Sequence, residues 1–187
     1  MSNENAISEF QIVPATPEML PDILLLEEAC FSSPWTRKML ETELMGNQFA
    51  HFLVATQKGQ SAVGAKSSIV GYHCFWIVFE ELRLMNLAVR ESLRRQGIGR
   101  SLARDAFRFA LDQTATRAVL EVRASNTPAR SLYTQMGFVQ VGQRPQYYTN
   151  PVEDAVLMEL NPLVMPSGQL QVRTCRTGGE STSTDSL

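Results

Sequence analysis

Cysteine and histidine, the usual ligands and nucleophiles of metal and redox sites, are scarce: three and two among 187 residues. Cys30, Cys74 and Cys175 are odd in number, far apart and free of any C-x-x-C or histidine pairing. Neither a disulfide framework nor a zinc site follows from such spacing, and inert thiols in a reducing compartment do. An excess of one charge sign is also missing: 17 Lys+Arg against 19 Asp+Glu leave −2, no global field for nucleic acid or an anionic membrane. No apolar run reaches the length of a membrane span, and the N-terminus, with Glu4 and Glu9, lacks a signal-peptide pattern. These absences predict a soluble, cytoplasmic chain with no metal, no membrane contact and no direct nucleic-acid partner.

What is present fills one domain with a sizeable core. Residues 1–9 are polar and read as a loose start, residues 10–162 as the domain, and residues 163–187, rich in Ser, Thr and Gly, as a disordered tail. Phe10 to Pro14 predicts an edge strand closed by its proline, and Thr16-Pro17-Glu18 a capped start for a helix reaching Cys30. Phe31 to Thr36 breaks that helix. Thr36 is expected to cap a second one from Arg37 to about Met45, and Trp35 reads either as a core anchor or as a ligand contact. Strands are predicted at Phe49–Thr56, Ile69–Phe79 and Leu82–Val89, with a loop from Gln57 to Ser68. His51 and His73 fall in these strands as partly buried side chains, and Glu80-Glu81 forms the intervening turn, close enough to the loop at Gly97 to be held in reserve as a functional pair. A helix from Gly97 to about Thr114, a strand at Ala118–Arg123, and a helix from Thr127 (cap) and Pro128 to Gly137 follow. Phe138–Val141 and Val156–Leu160 are expected as closing strands, separated by the polar, aromatic segment Gly142–Asp154.

The sequence is organised around Asn86 to Arg100, a strand, a two-glycine turn and a helix start. Unpaired amides at a helix N-terminus, backed by the helix dipole, suit an anion, and glycine at 97 and 99 lets a ligand approach the backbone. Two familiar phosphate loops fail to fit. A Walker A loop needs lysine after its second glycine, whereas Gly99 is followed by Arg100; the dinucleotide fingerprint needs a third glycine where Leu102 stands. Arg94-Arg95-Gln96-Gly97-Ile98-Gly99 instead resembles the R/Q-x-x-G-x-G/A motif of the GCN5-related N-acetyltransferases (GNATs), preceded by a matching Asn86-Leu87-Ala88-Val89 strand. Leu120 to Asn126, Leu132-Tyr133, Met136-Gly137-Phe138, Tyr147-Tyr148 and Glu153-Asp154-Ala155 are similar to the RimI-like branch of that family, as is the turn from Phe31 to Pro34-Trp35. The resemblance spans residues 10 to 162 and is densest from 82 to 158.

That resemblance implies an α/β (α+β) GNAT fold: a central mixed, mostly antiparallel sheet flanked by about four helices, with acetyl-CoA bound where two central strands splay. It implies acetyl transfer from acetyl-CoA, as co-substrate, to an amine. The amides of Arg95, Gln96, Gly97, Ile98, Gly99 and Arg100 would hold the pyrophosphate, with charge added by Arg95 or Arg100; Arg94 reads as a solvated surface charge. The backbone of Leu87, Ala88 and Val89 would pair with the pantetheine arm and aim an N–H at the thioester oxygen, and Asn126 would contact CoA unless it simply serves the helix entry. Glu121 would be the general base, with an ion pair to Arg123 as the structural alternative. Tyr133 would protonate the departing thiolate, or else be a core aromatic. The branch implies a protein N-terminus as acceptor, the N-terminal alanine of the eighteenth small-subunit ribosomal protein. An α-amine is also easier to deprotonate than lysine, with a reference pKa of about 7.7–8.0 against about 10.4. Arg144 to Tyr148 would wall a peptide groove or pack on itself as a twisted hairpin. A lysine or small-molecule acceptor, and a non-catalytic acyl-CoA-binding module, are the competing readings.

Overall fold

The computed structural model describes residues 10–57 and 69–166. The expectations for residues 1–9, for the loop at 58–68 and for the tail beyond 166 lie outside the described residues. Seven strands form one sheet in the order β1-β2-β3-β4-β5-β7-β6, built from β1 (Phe10–Pro14), β2 (Ala50–Gln57), β3 (Ile69–Val78), β4 (Glu81–Val89), β5 (Arg117–Arg123), β6 (Val139–Thr149) and β7 (Val152–Leu160). Only β4 and β5 run parallel; every other neighbouring pair is antiparallel.

The two faces of the sheet carry separate cores, because strand residues alternate sides. One face packs Leu53, Phe75, Leu84, Leu120 and Val122 against α3 (Ile98–Asp112) and α4 (Thr127–Gln135). The other packs Phe52, Val54, Tyr72 and Cys74 against α1 (Leu20–Cys30) and Leu40 of α2 (Arg37–Glu41). The long helix α3 buries Leu102, Ala103, Ala106, Phe107 and Ala110 at helical spacing, and it lies close on β3 because position 71 is glycine. A Cβ at Gly71 would stand 3.0 Å from the Ala88 carbonyl oxygen and 3.2 Å from both Ile98 and Leu102 side chains.

Several local expectations are corrected. Thr16 makes no side-chain cap; a 3-10 turn, Pro17–Met19, leads into α1. Thr36 does cap α2, accepting from the Met39 amide at 3.3 Å, but the helix continues as a π-helical turn, Thr42–Gly46. Asn126, not Thr127, caps α4 through its side-chain oxygen and the Ala129 amide at 3.2 Å. Gly137 ends that helix with φ 98°, in the left-handed conformation its position requires. The segment from Gly142 to Thr149 is strand rather than separator, since β6 runs unbroken to Thr149 with register shifts at Gln140/Gly142 and Arg144/Tyr148. Leu163 is buried against the main core and donates its amide to the Thr116 carbonyl at 2.6 Å. Glu81 belongs to β4 and pairs with Arg83 at 2.6 Å and Arg117 at 2.8 Å, at the opposite end of that strand from Val89 and the glycine loop. The reserve role for Glu80-Glu81 falls with that distance. His73 is wholly buried, and burial lowers its pKa to about 4, so it is a neutral core group.

Candidate active site

The middle of the sheet opens between β4 and β5. Their parallel pairing covers only Glu81–Leu84 against Arg117–Leu120. Beyond it, β4 continues to Val89 paired with β3 alone, and β5 continues to Arg123 paired with β7 alone. A bulge opposite His73–Phe75 gives β4 one extra residue and turns its second half. The strand carrying Leu87, Ala88 and Val89 therefore borders a gap whose other wall is Glu121, Val122 and Arg123. A strand edge without a neighbour offers amides and carbonyls to an extended ligand, as the sheet's own strands do.

At the end of β4 the chain turns through Glu91–Leu93 into α3. Arg95 (φ 66°) and Gly97 (φ 83°) both adopt left-handed conformations, which aims successive amides outward as an anion-binding concavity. A Cβ at Gly97 would meet nothing within 4 Å, so its outer side is open space. Gly99 serves packing instead, since a Cβ there would sit 3.4 Å from Leu87 and 3.7 Å from Val89, and glycine lets the first turn of α3 close on β4. The first helical bond runs from the Ser101 amide to the Gly97 carbonyl, leaving the amides of Ile98, Gly99 and Arg100 without helical acceptors. These features fit a pyrophosphate, and the open strand edge beside them fits a pantetheine arm.

The arginines divide differently from the sequence expectation. Arg94, read as a solvated charge, anchors the loop by donating from Nε to the Val89 carbonyl at 3.1 Å. Arg100 donates from Nη2 to the Gln135 side chain, a neutral partner that leaves its charge in place, and Arg95 is exposed, so either can add charge beside the turn. Asn126 has its side-chain oxygen committed to the α4 cap.

Glu121 sits on the α1/α2 side of the sheet, since its neighbours Leu120 and Val122 point into the opposite core. Its partner is Arg144 of β6, Nη1 to Oε1 at 2.8 Å, and the Tyr147 hydroxyl also hydrogen-bonds it. The hydrogen bond to Glu121, with some burial, raises the Tyr147 pKa above the ordinary phenol value. The expected alternative, a pair with Arg123, does not form. Arg123 is held instead by the carbonyls of Asn150 (2.9 Å) and Pro151 (3.2 Å), by Glu153 (3.4 Å) and by the Tyr148 ring, 4.1 Å from its Cζ. The hairpin from Arg144 to Tyr148 both packs on itself and lines the carboxylate. Ser32 and Ser33, in the loop between α1 and α2, each donate to the Asn150 carbonyl at 3.2 Å, closing that loop against the β6–β7 turn.

Tyr133 lies across the sheet, on α4, with its ring buried and edge-on to Phe138 at 5.5 Å. Burial pushes its pKa well above the ordinary phenol value. Glu121 thus stands on the β5 wall of the gap on one face of the sheet, and Tyr133 lies in the core of the opposite face. A groove of about 490 Å³ between α4 and β6 contains neither side chain.

Sequence reasoning missed Glu27. This fully buried α1 carboxylate accepts from the Trp35 amide (2.8 Å), the Asn86 side chain (3.0 Å) and the Tyr72 hydroxyl, tying the α1–α2 loop to β3 and β4. Desolvation raises its pKa and the hydrogen bonds oppose the rise. A charged residue four positions after Ile23 on a stripe of buried apolar residues was the available signal. Glu27→Leu should lower stability by roughly 2–4 kcal/mol in urea unfolding, because three donors lose their acceptor, and Glu27→Gln should cost clearly less.

Residues 20–138 match the model of the acetyltransferase (GNAT) family. The chain belongs to the GNAT family. Among its relatives, this GNAT is 36% identical over 141 residues to a provisional ribosomal protein bS18-alanine N-acetyltransferase of Bacillus subtilis (strain 168), covering 75% of this chain and 88% of that protein. It is 33% identical over 147 residues to the ribosomal protein bS18-alanine N-acetyltransferase of Escherichia coli (strain K12), covering 75% and 90%. The crystal structure of the Escherichia coli ribosomal-protein-S18-alanine N-acetyltransferase superposes with a TM-score of 0.72 at 26% identity, over 89% of this chain and 100% of that one. The fold is shared with Arabidopsis thaliana NAA60 in complex with acetyl-CoA, at a TM-score of 0.73 and 16% identity, over 82% and 98% of the two chains. Family membership makes the chain an acetyl-transferring enzyme, as the resemblance carried by Arg94–Gly99 and the downstream motifs implied. Among the described residues no helix is long and apolar enough to cross a membrane.

Proposed function

We propose that this GNAT enzyme moves the acetyl group of acetyl-CoA to the N-terminal α-amine of a protein, the N-terminal alanine of ribosomal protein bS18, in the cytoplasm. The observation that supports the reading is the unpaired stretch between β4 and β5, with the glycine turn at Gly97 at one end and the Glu121 carboxylate on its β5 wall. Relatives at 33% and 36% identity whose names give that substrate support the choice of acceptor. The amides at Gly97–Arg100 and the charge of Arg95 or Arg100 hold the pyrophosphate, and the free edge of Leu87–Val89 holds the pantetheine arm and directs an N–H at the thioester oxygen. Glu121, directly or through one water, takes a proton from the acceptor ammonium; the amine nitrogen then bonds the acetyl carbon, and the carbon–sulfur bond breaks as Tyr133 gives its proton to the thiolate. The second proton leaving the nitrogen restores the Tyr133 hydroxyl, while Glu121 releases its proton to solvent. The acceptor enters from the α1/α2 face, between the loop at Phe31–Thr36 and the hairpin at Arg144–Asn150. Neither a nucleic acid nor a membrane takes part.

A lysine or polyamine acceptor would be expected to meet clustered carboxylates, and the pair considered for that role, Glu80 and Glu81, lies at the far end of β4. Mass spectrometry of a synthetic peptide with the bS18 N-terminus, incubated with acetyl-CoA and enzyme, should find one acetyl group on the α-amine. Acetylation of spermidine or of lysine in an N-terminally blocked peptide, with the α-amine left free, would reverse the assignment.

A further inference from the structure

Two arginines lie on the same side of the sheet as Glu121 or in contact with it, and they are held in opposite ways. Arg123 is fixed by two carbonyls, a carboxylate and a stacked ring, and its side chain is only 20% exposed. Arg144 is 54% exposed, its guanidinium meets Glu121 through a single Nη1–Oε1 contact of 2.8 Å, and its other neighbour is the face of Tyr147, 5.5 Å from Cζ to the ring centroid. Its strand is the outermost of the sheet and irregular around it. Between Arg144 and Tyr148 the β6 backbone sets three residues against one on β7, with Gln146 at φ 51° and its amide on the Asp154 carboxylate at 2.8 Å. Such a bulge re-aims side chains next to a site, and here it turns both Arg144 and Tyr147 onto Glu121.

An acceptor arrives as a cation, because an α-amine with a reference pKa of about 7.7–8.0 is mostly protonated at neutral pH. Its ammonium and the Arg144 guanidinium are two cations that compete for one carboxylate. We propose that Arg144 is a displaceable counter-ion: it holds the Glu121 carboxylate between turnovers and yields its place to the acceptor ammonium, retreating over the Tyr147 ring. This rests on the assignment of Glu121 as the base. An ion pair this exposed costs little to open, so the exchange is feasible, whereas Arg123, with four partners, stays in place as part of the wall. Arg144 thereby acts as a positioning residue that competes with the acceptor and keeps the site from holding weak cations.

The test is steady-state kinetics of Arg144→Ala, Arg144→Lys and Glu121→Gln at saturating acetyl-CoA with an Ala-initiated peptide. Arg144→Ala should lower the acceptor KM by roughly two- to fivefold, the worth of an exposed ion pair, with kcat and the acetyl-CoA KM little changed. Arg144→Lys, which restores a cation, should return KM toward the wild-type value. Ethylguanidinium should compete with the acceptor in Arg144→Ala and not in the wild type, where its place is taken. An acceptor KM that rises or stays the same in Arg144→Ala, in an enzyme that Glu121→Gln inactivates, overturns the counter-ion role and leaves the base standing. Full activity in Glu121→Gln overturns the base assignment and the exchange with it.

Discussion

Glu121→Gln should lower kcat/KM for the peptide acceptor by about 10²–10⁴-fold, the usual worth of a positioned proton acceptor, while the acetyl-CoA KM stays near the wild-type value. The substitution keeps shape and volume. A glutamine oxygen still accepts from Arg144 and Tyr147, and the site is partly exposed, so stability should change by no more than about 0.5 kcal/mol. Loss of rate without loss of fold separates a chemical role from a structural one. The pH profile adds a second signature. Without a base the acceptor must arrive already deprotonated, so the residual rate of the variant should climb with pH through the α-amine range near about 8. A variant that keeps wild-type kcat, or whose loss is the same at every pH, would remove Glu121 from the mechanism.

How far the sequence could reach is decided by the range of the interactions involved. The turn from β4 into α3 was legible because glycine at φ 83° and a run of helical apolar positions are local facts, and the GNAT motif overlies them. Glu121 was legible as an expensive carboxylate at a strand centre, but its partner was misjudged. Arg123 is two residues away and on the same side, yet the turn at Asn150–Pro151 supplies carbonyls that capture it, and the counter-ion comes from another strand. The length of β6 was hidden for a related reason. Almost every one of its residues is exposed, and two register shifts interrupt the period of two, so no alternation marks it as strand. Glu27 required knowledge of partners 45 and 59 positions away in the sequence. The Asn126 cap was a near miss in a run, Asn126-Thr127-Pro128, where either of the first two residues has the chemistry to cap.

Tyr133→Phe should lower kcat by about 10²-fold, toward the lower end of general-acid contributions, with both KM values close to wild type. The single atom removed is the hydroxyl oxygen. The ring's burial and its edge-on contact with Phe138 persist in the variant, so the core should hold and thermal unfolding should shift little. Burial raises the pKa of this phenol above its ordinary value of about 10, so Tyr133 remains a proton donor throughout the range in which the amine becomes nucleophilic. The alkaline limit of catalysis is therefore not set by Tyr133 below about pH 10. A thiolate leaving group that must depart unprotonated is a poorer one, and the cost should appear in the chemical step: single-turnover rates with enzyme in excess should fall by the same factor as kcat. If Tyr133→Phe turns over at the wild-type rate, its ring is a core aromatic and nothing more, and the proton for the departing thiol must come from solvent or another side chain.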